Sequence, residues 1–167
     1  MIQLSPSPTV SVSPARPIPL QPAGMAMGTP SFQRAPARVL VVDDQPIHRL
    51  CARVILQQAL PDIVIEEADC VAQALAFLSE RDYHLVLIDL MLPDGHGTDA
   101  IRQLREQAPG RRSTVPAVAM TSLRTPEALL SCARAGLDEV LAKPLDPQQL
   151  VRAVLRRLPV VSEKLNR

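Results

Sequence analysis

A chain of 167 residues is long enough to bury the core of one domain, and a formal charge of +1 with a pI near 7.8 lacks the electrostatic footprint of a nucleic-acid or acidic-surface binder. Phe32, Phe77 and Tyr83 are the only aromatics, which argues against base stacking as a function, and no apolar run approaches the roughly 18 residues of a membrane span. Three widely spaced cysteines, Cys51, Cys70 and Cys132, favour a reduced, cytoplasmic compartment in which they act as small apolar residues.

Residues 1–36 carry prolines at 6, 8, 14, 17, 19, 22, 30 and 36 among Ser, Thr, Gly and Ala. That many missing donors and fixed φ angles predict a disordered or polyproline-like arm, and the N-terminus does not read as a secretory signal. Order is expected over 37–159, with a short tail at 160–167. Val39 to Val42 is an apolar β-branched run that ends in Asp43-Asp44. Gln45-Pro46 then turns into a helix on which Ile47, Leu50, Cys51, Val54 and Gln58 share a mostly apolar stripe. Asp44 alone reads equally well as that helix's N-cap.

Ile63 to Ile65 is a short strand, and Val71, Ala74, Leu75 and Leu78 mark the second helix. Leu85 to Ile88 has the content of a strand buried on both faces. It runs into Asp89 and a Pro93-Asp94-Gly95 turn, whose amides or that of Gly97 are one explanation for the carboxylate. Ala100, Ile101, Leu104 and Ala108 define a third helix that Pro109-Gly110 stops, and Arg111-Arg112 reads as a solvated loop. Val115 to Met120 is a fourth strand ending in Thr121-Ser122. Thr125-Pro126-Glu127 opens a fourth helix that Gly136 ends. Val140 to Ala142 finishes in Lys143-Pro144, and Asp146 caps a last helix with its stripe at Leu150, Val151, Val154, Leu155 and Leu158.

Five strands alternating with five helices predict an α/β fold. It is a flavodoxin-like, doubly wound, five-stranded parallel sheet of order 2-1-3-4-5. Parallel strands deliver their C-terminal residues to one edge, so Asp43, Asp44, Asp89, Thr121 and Lys143 converge there. Neighbouring carboxylates repel by about 4 kcal/mol per pair at 4 Å and an effective dielectric near 20. An oxygen-only set of that kind suits Mg²⁺. Asp89 on the middle strand is then the candidate nucleophile for a phosphoryl group, with Lys143 and Thr121 contacting its oxygens. His48, His84 and His96 form no metal cluster by spacing and read as helix-surface, strand-edge and loop residues.

These elements resemble the receiver domain of bacterial two-component response regulators. The resemblance rests on Val41-Val42-Asp43-Asp44, Asp89 to Gly95, Met120-Thr121-Ser122 and Leu141-Ala142-Lys143-Pro144, in that order. It implies a phosphoacceptor protein rather than an enzyme, of the stand-alone type seen in chemotaxis, with no DNA-binding or catalytic output domain. Asp44 and Asp89 would bind Mg²⁺ directly, Met91 through its backbone carbonyl and Asp43 through water. Asp89 would take phosphate from a sensor histidine kinase or a histidine phosphotransfer protein, Thr121 and Lys143 would read it, and a downstream protein would respond. The Lys143-Pro144 peptide is often cis in the family, and receivers often pair through their last two helices and strand, which makes a second copy a candidate partner.

One position departs from the pattern: Val140 stands where the family usually has Tyr or Phe. The alternative to a phosphate switch is a receiver-like domain that binds partners without phosphorylation. An aspartyl-phosphate phosphatase is disfavoured because Met91 occupies the place of its acid/base aspartate, and no glycine-rich phosphate loop follows any strand.

Overall fold

The computed structural model describes residues 36–158 apart from Pro109. The arm up to residue 35, the expected stop at Pro109 and the tail from 159 lie outside the described residues. Strands β1 (Arg38–Val42), β2 (Val64–Ala68), β3 (Leu85–Asp89), β4 (Ala117–Thr121) and β5 (Glu139–Ala142) alternate with five helices. These are α1 (Pro46–Ala59), α2 (Val71–Glu80), α3 (Gly97–Gln107), α4 (Pro126–Ala135) and α5 (Pro147–Leu155). The strands pair in parallel in the order β2-β1-β3-β4-β5, the flavodoxin-like order that the alternation predicts.

Successive residues of the central strands point to opposite faces and feed two separate cores. Leu40, Val42, Val86 and Ile88 pack against Ala74 and Leu78 of α2 and Ile101 and Leu104 of α3. Val39, Val41, Leu85 and Leu87 pack against Ala52 and Leu56 of α1 and Leu150 and Val154 of α5. Each such Val, Leu or Ile contributes about 1.5–3 kcal/mol by leaving water, so the middle of the sheet is a stiff platform for its own edge.

Two helix starts follow the expected capping chemistry. Thr125 Oγ1 accepts the Ala128 N–H at 3.2 Å, and Asp146 Oδ1 accepts the Gln149 N–H at 2.8 Å. Caps of this kind contribute about 1 kcal/mol each. Gly136 closes α4 at φ +82°, a left-handed conformation that a side chain would strain.

Three features differ from the expectation. The apolar stripe of α1 faces solvent: Ile47, Leu50, Cys51, Val54 and Gln58 are exposed, and the helix buries Ala52 and Leu56 instead. Both sets repeat with the period of the helix, and the packing of α1 beside α5 selects the second. Strand β2 runs on through Glu66 and Glu67, because arginines neutralise them at this outer strand. Glu66 pairs with Arg38 at 2.9 Å and with Arg81, and Glu67 pairs with Arg49 at 3.2 Å and Arg53 at 2.5 Å. Arg111 and Arg112 lie in a short 3₁₀ turn, Gly110–Thr114, in which Arg112 binds Asp82 at 3.0 Å and the Ser79 carbonyl.

Candidate functional site

Strand register sets the site. Val42 lies beside Ile88, Asp89 beside Met120 and Thr121 beside Ala142. Asp43 and Lys143 each follow the last residue of their strands, so they emerge flanking Asp89 at the carboxyl edge. Asp43, Asp44 and Asp89 each place a carboxylate oxygen within 4.8 Å of the others. Asp43 is fully buried, Asp89 nearly so and Asp44 exposed.

Local hydrogen bonds explain why these side chains stay at the edge. Asp43 Oδ1 accepts the Gln45 N–H at 3.0 Å, so Asp43 ties down the turn into α1, and Gln45 rather than Asp44 is that helix's N-cap residue. Asp89 Oδ1 accepts the Met91 N–H at 3.1 Å, which answers the sequence's question about the turn: neither Gly95 nor Gly97 serves the carboxylate. The Gly97 N–H goes to the Leu90 carbonyl at 3.0 Å. Residues Met91–Leu92 and Gly95–His96 close a two-stranded ribbon over the strand end, and Asp94 at its tip accepts the Val71 and Ala72 amides at 2.7 and 2.8 Å. Those two backbone donors hold the Asp94 carboxyl below its ordinary range, and they fix the ribbon to the start of α2.

Gly97 is constrained by close approach. A Cβ there would run into the backbone carbonyl oxygen of Asp89 and come within 3.1 Å of Ile88 Cγ1. Backbone cannot step aside as a flexible side chain does. Gly97→Ala is therefore expected to lower stability by about 1–3 kcal/mol, the usual cost of overpacking. A denaturant midpoint equal to that of the wild type would contradict it.

Lys143 supplies the positive charge. Its side chain is 7% exposed, and Nζ lies 2.5 Å from Asp43 Oδ2 and pairs with Asp89 Oδ2. The Lys143–Pro144 peptide is cis. One ammonium against three carboxylates leaves a formal charge of −2 in a partly dry pocket, and Asp43 Oδ2, though near Lys143, accepts no hydrogen bond of good geometry. A hard divalent cation matches both the charge and the unserved oxygen.

Thr121 is buried beside this group, and its Oγ1 accepts the Leu123 N–H at 3.0 Å. Met91 keeps its backbone at the pocket while its side chain points outward, 51% exposed. Val140 is half-buried on the edge strand, against the core cluster that also takes in Cys132 and Ala135 of α4. His48 is the residue that sequence reasoning missed: Nδ1 is 3.1 Å from Asp43 Oδ1 and 3.2 Å from Lys143 Nζ. Its place in the first turn of α1, which opens directly after Asp43-Asp44, is the signal that points to it. His84 Nδ1 accepts the Arg38 N–H at 3.1 Å far from the pocket, and His96 is exposed on the ribbon.

Residues 39–155 match the family model of the response regulator receiver domain. The chain belongs to that family. As a receiver domain it is similar to the sensory/regulatory protein RpfC of Xanthomonas campestris pv. campestris, with 37% identity over 116 residues. That match takes in 68% of this chain but 15% of RpfC, so the chain spans a small part of that relative. Among solved structures it is similar to the chemotaxis response regulator CheY4 of Vibrio cholerae, at TM-score 0.66 and 26% identity, covering 74% of this chain and 99% of that one. It is also similar to the receiver domain of the sensor histidine kinase PA1611 from Pseudomonas aeruginosa, which was solved with a magnesium ion coordinated in the active site cleft. There the TM-score is 0.65 and the identity 28%, over 74% of this chain and 98% of that one. Among the described residues, no helix is long and apolar enough to cross a membrane.

Proposed function

We propose that this receiver domain is a Mg²⁺-dependent phosphoacceptor that takes its phosphoryl group on Asp89 and changes partner binding as a result. The observation that carries the reading is the set of three carboxylates and a buried lysine gathered at the carboxyl edge, with Asp89 on the central strand. Asp44, Asp89 and the Met91 carbonyl would hold the cation directly, and Asp43 through water. Mg²⁺, when bound, neutralises the charge of an incoming phosphoryl group.

The protein's own residues do the rest. The Asp89 carboxylate attacks phosphorus of a phosphohistidine, an O–P bond forms, the N–P bond breaks, and its electron pair leaves on the imidazole nitrogen, which is reprotonated. Lys143 transfers its pairing from carboxylate to phosphoryl oxygen. The Thr121 hydroxyl donates to another phosphoryl oxygen while still accepting from Leu123, so its movement draws the loop ahead of α4. With Val140 in place of an aromatic, that loop and α4 carry the signal, and Leu123, Leu129 and Leu130 are the exposed apolar residues a downstream protein would read. The donor is a sensor histidine kinase or a histidine phosphotransfer protein in the cytoplasm.

The exposed face of α1 borders the pocket and offers the donor Ile47, Leu50 and Val54. Leu50→Asp is expected to slow transfer from a phosphohistidine protein about tenfold or more, since hot-spot truncations cost about 2 kcal/mol. Labelling by a small phosphodonor should be unchanged; equal slowing with both donors would remove α1 from the docking surface.

The function itself is tested by intact mass after incubation with acetyl phosphate. A gain of one phosphoryl group with Mg²⁺, abolished by EDTA, is expected. A folded sample that binds Mg²⁺ and gains no mass would instead favour an interaction domain that works without phosphate.

A further inference from the structure

His48 has no assigned part in phosphotransfer, yet its ring lies between two groups that do. Nδ1 is within hydrogen-bond distance of Lys143 Nζ and of Asp43 Oδ1, at 3.2 and 3.1 Å. One ring nitrogen cannot serve both at once: with a proton it donates to the carboxylate, and with a lone pair it accepts from the ammonium.

Donor and acceptor counts decide between them. Asp43 Oδ1 has a donor without the ring, the Gln45 N–H at 3.0 Å, whereas Lys143 Nζ has few acceptors within reach. The Lys143 ammonium has three N–H donors, and two acceptors stand in hydrogen-bonding geometry to it, Asp89 Oδ2 and His48 Nδ1, while Asp43 Oδ2 is a charge contact alone. Asp89 Oδ2 is then its one hydrogen-bond acceptor unless Nδ1 carries a lone pair and becomes the second. The ring is 40% exposed, so its Nε2–H finds water.

We propose that His48 is a positioning residue: its Nδ1 accepts from Lys143 and holds the ammonium against Asp43 and Asp89, and so sets how readily the carboxylates exchange that ammonium for a divalent cation. The inference rests on the reading of the pocket as a phosphoacceptor site. A cation that takes Asp89 and the oxygens around it competes with Lys143 for them. Whatever steadies the ammonium there weakens the cation, and removing the ring strengthens it.

The experiment uses the full chain as wild type, His48→Leu, His48→Asn and His48→Gln. An Asn carboxamide reaches the place of Nδ1, whereas a Gln carboxamide reaches that of Nε2. Two readouts are taken: Mg²⁺ affinity by calorimetry, and hydrogen exchange of the lysine ammonium protons in ¹⁵N-resolved spectra without metal. The chain has two lysines, Lys143 and Lys164, so Lys164→Arg assigns the signal. His48→Leu is expected to bind Mg²⁺ about tenfold more tightly and to exchange its Lys143 protons about tenfold faster, the effect of losing one charge-assisted hydrogen bond. His48→Asn should restore both and His48→Gln neither. Unchanged exchange or unchanged affinity in His48→Leu, or rescue by Gln in place of Asn, overturns the proposal. If the wild type takes up neither Mg²⁺ nor phosphate, the phosphoacceptor reading falls, and the exchange measurement alone still decides whether His48 holds Lys143.

Discussion

Asp89→Asn is expected to gain no phosphoryl mass from acetyl phosphate and Mg²⁺ while keeping the wild-type fold. The amide has no anionic oxygen with which to attack phosphorus, so the loss is complete rather than partial. Its side-chain oxygen still accepts the Met91 N–H, the bond that holds the start of the ribbon. Two electrostatic changes oppose each other in the pocket. Lys143 loses one of its two carboxylate partners, but Asp43 and Asp44 lose a like-charged neighbour whose repulsion is about 4 kcal/mol at 4 Å and an effective dielectric near 20. Stability should therefore change by no more than about 1 kcal/mol, which a denaturant titration reads. Phosphorylated wild type should shift the α4 amide resonances, and the treated variant should not. A mass gain retained in Asp89→Asn would place the acceptor on another carboxylate; α4 resonances that stay put in phosphorylated wild type would refute the loop-and-helix switch.

What the sequence revealed of this site, and what it concealed, follows from the range of the interactions. The strand ends were legible because each apolar run stops at a charged or hydroxyl side chain: Asp43, Asp89, Thr121 and Lys143. A parallel sheet must bring such ends together. The capping of α4 and α5 was legible for the same local reason, since Thr125 and Asp146 each act on an amide three residues away. The buried face of α1 was not. Ile47, Leu50 and Val54 form as good a stripe as Ala52 and Leu56, and only the neighbouring α5 decides between them. Asp94 looked like a turn residue, yet its acceptors serve α2 more than twenty residues earlier. The apolar pattern stops strand β2 at Ile65 because Glu66 and Glu67 look unsuited to a sheet, whereas their arginine partners carry the strand on to Ala68. His48 stayed hidden because its partner Lys143 is 95 residues away.

Lys143→Met is expected to make folding stability depend on Mg²⁺. The lysine side chain is 7% exposed and Asp43 is fully buried, so the substitution leaves two carboxylates without their cation in a pocket that water reaches poorly. Breaking a buried pair from one side costs about 3–5 kcal/mol. The open strand end lets solvent reach Asp89 and places the loss near the low figure, about 3 kcal/mol. For a domain of this size that lowers the melting temperature in EDTA by roughly 10 °C. Mg²⁺ then acts on the variant as the lysine did, and at a hundredfold excess over its dissociation constant it returns about 2.7 kcal/mol. The wild type gains less from the same Mg²⁺, because its own ammonium must first be displaced from the oxygens that the metal takes. Melting curves in EDTA and in Mg²⁺ should thus lie far apart for Lys143→Met and close together for the wild type. Equal separations would mean that lysine and metal do not share ligands; the carboxylate edge would then be a structural ion pair rather than a site where one cation replaces another.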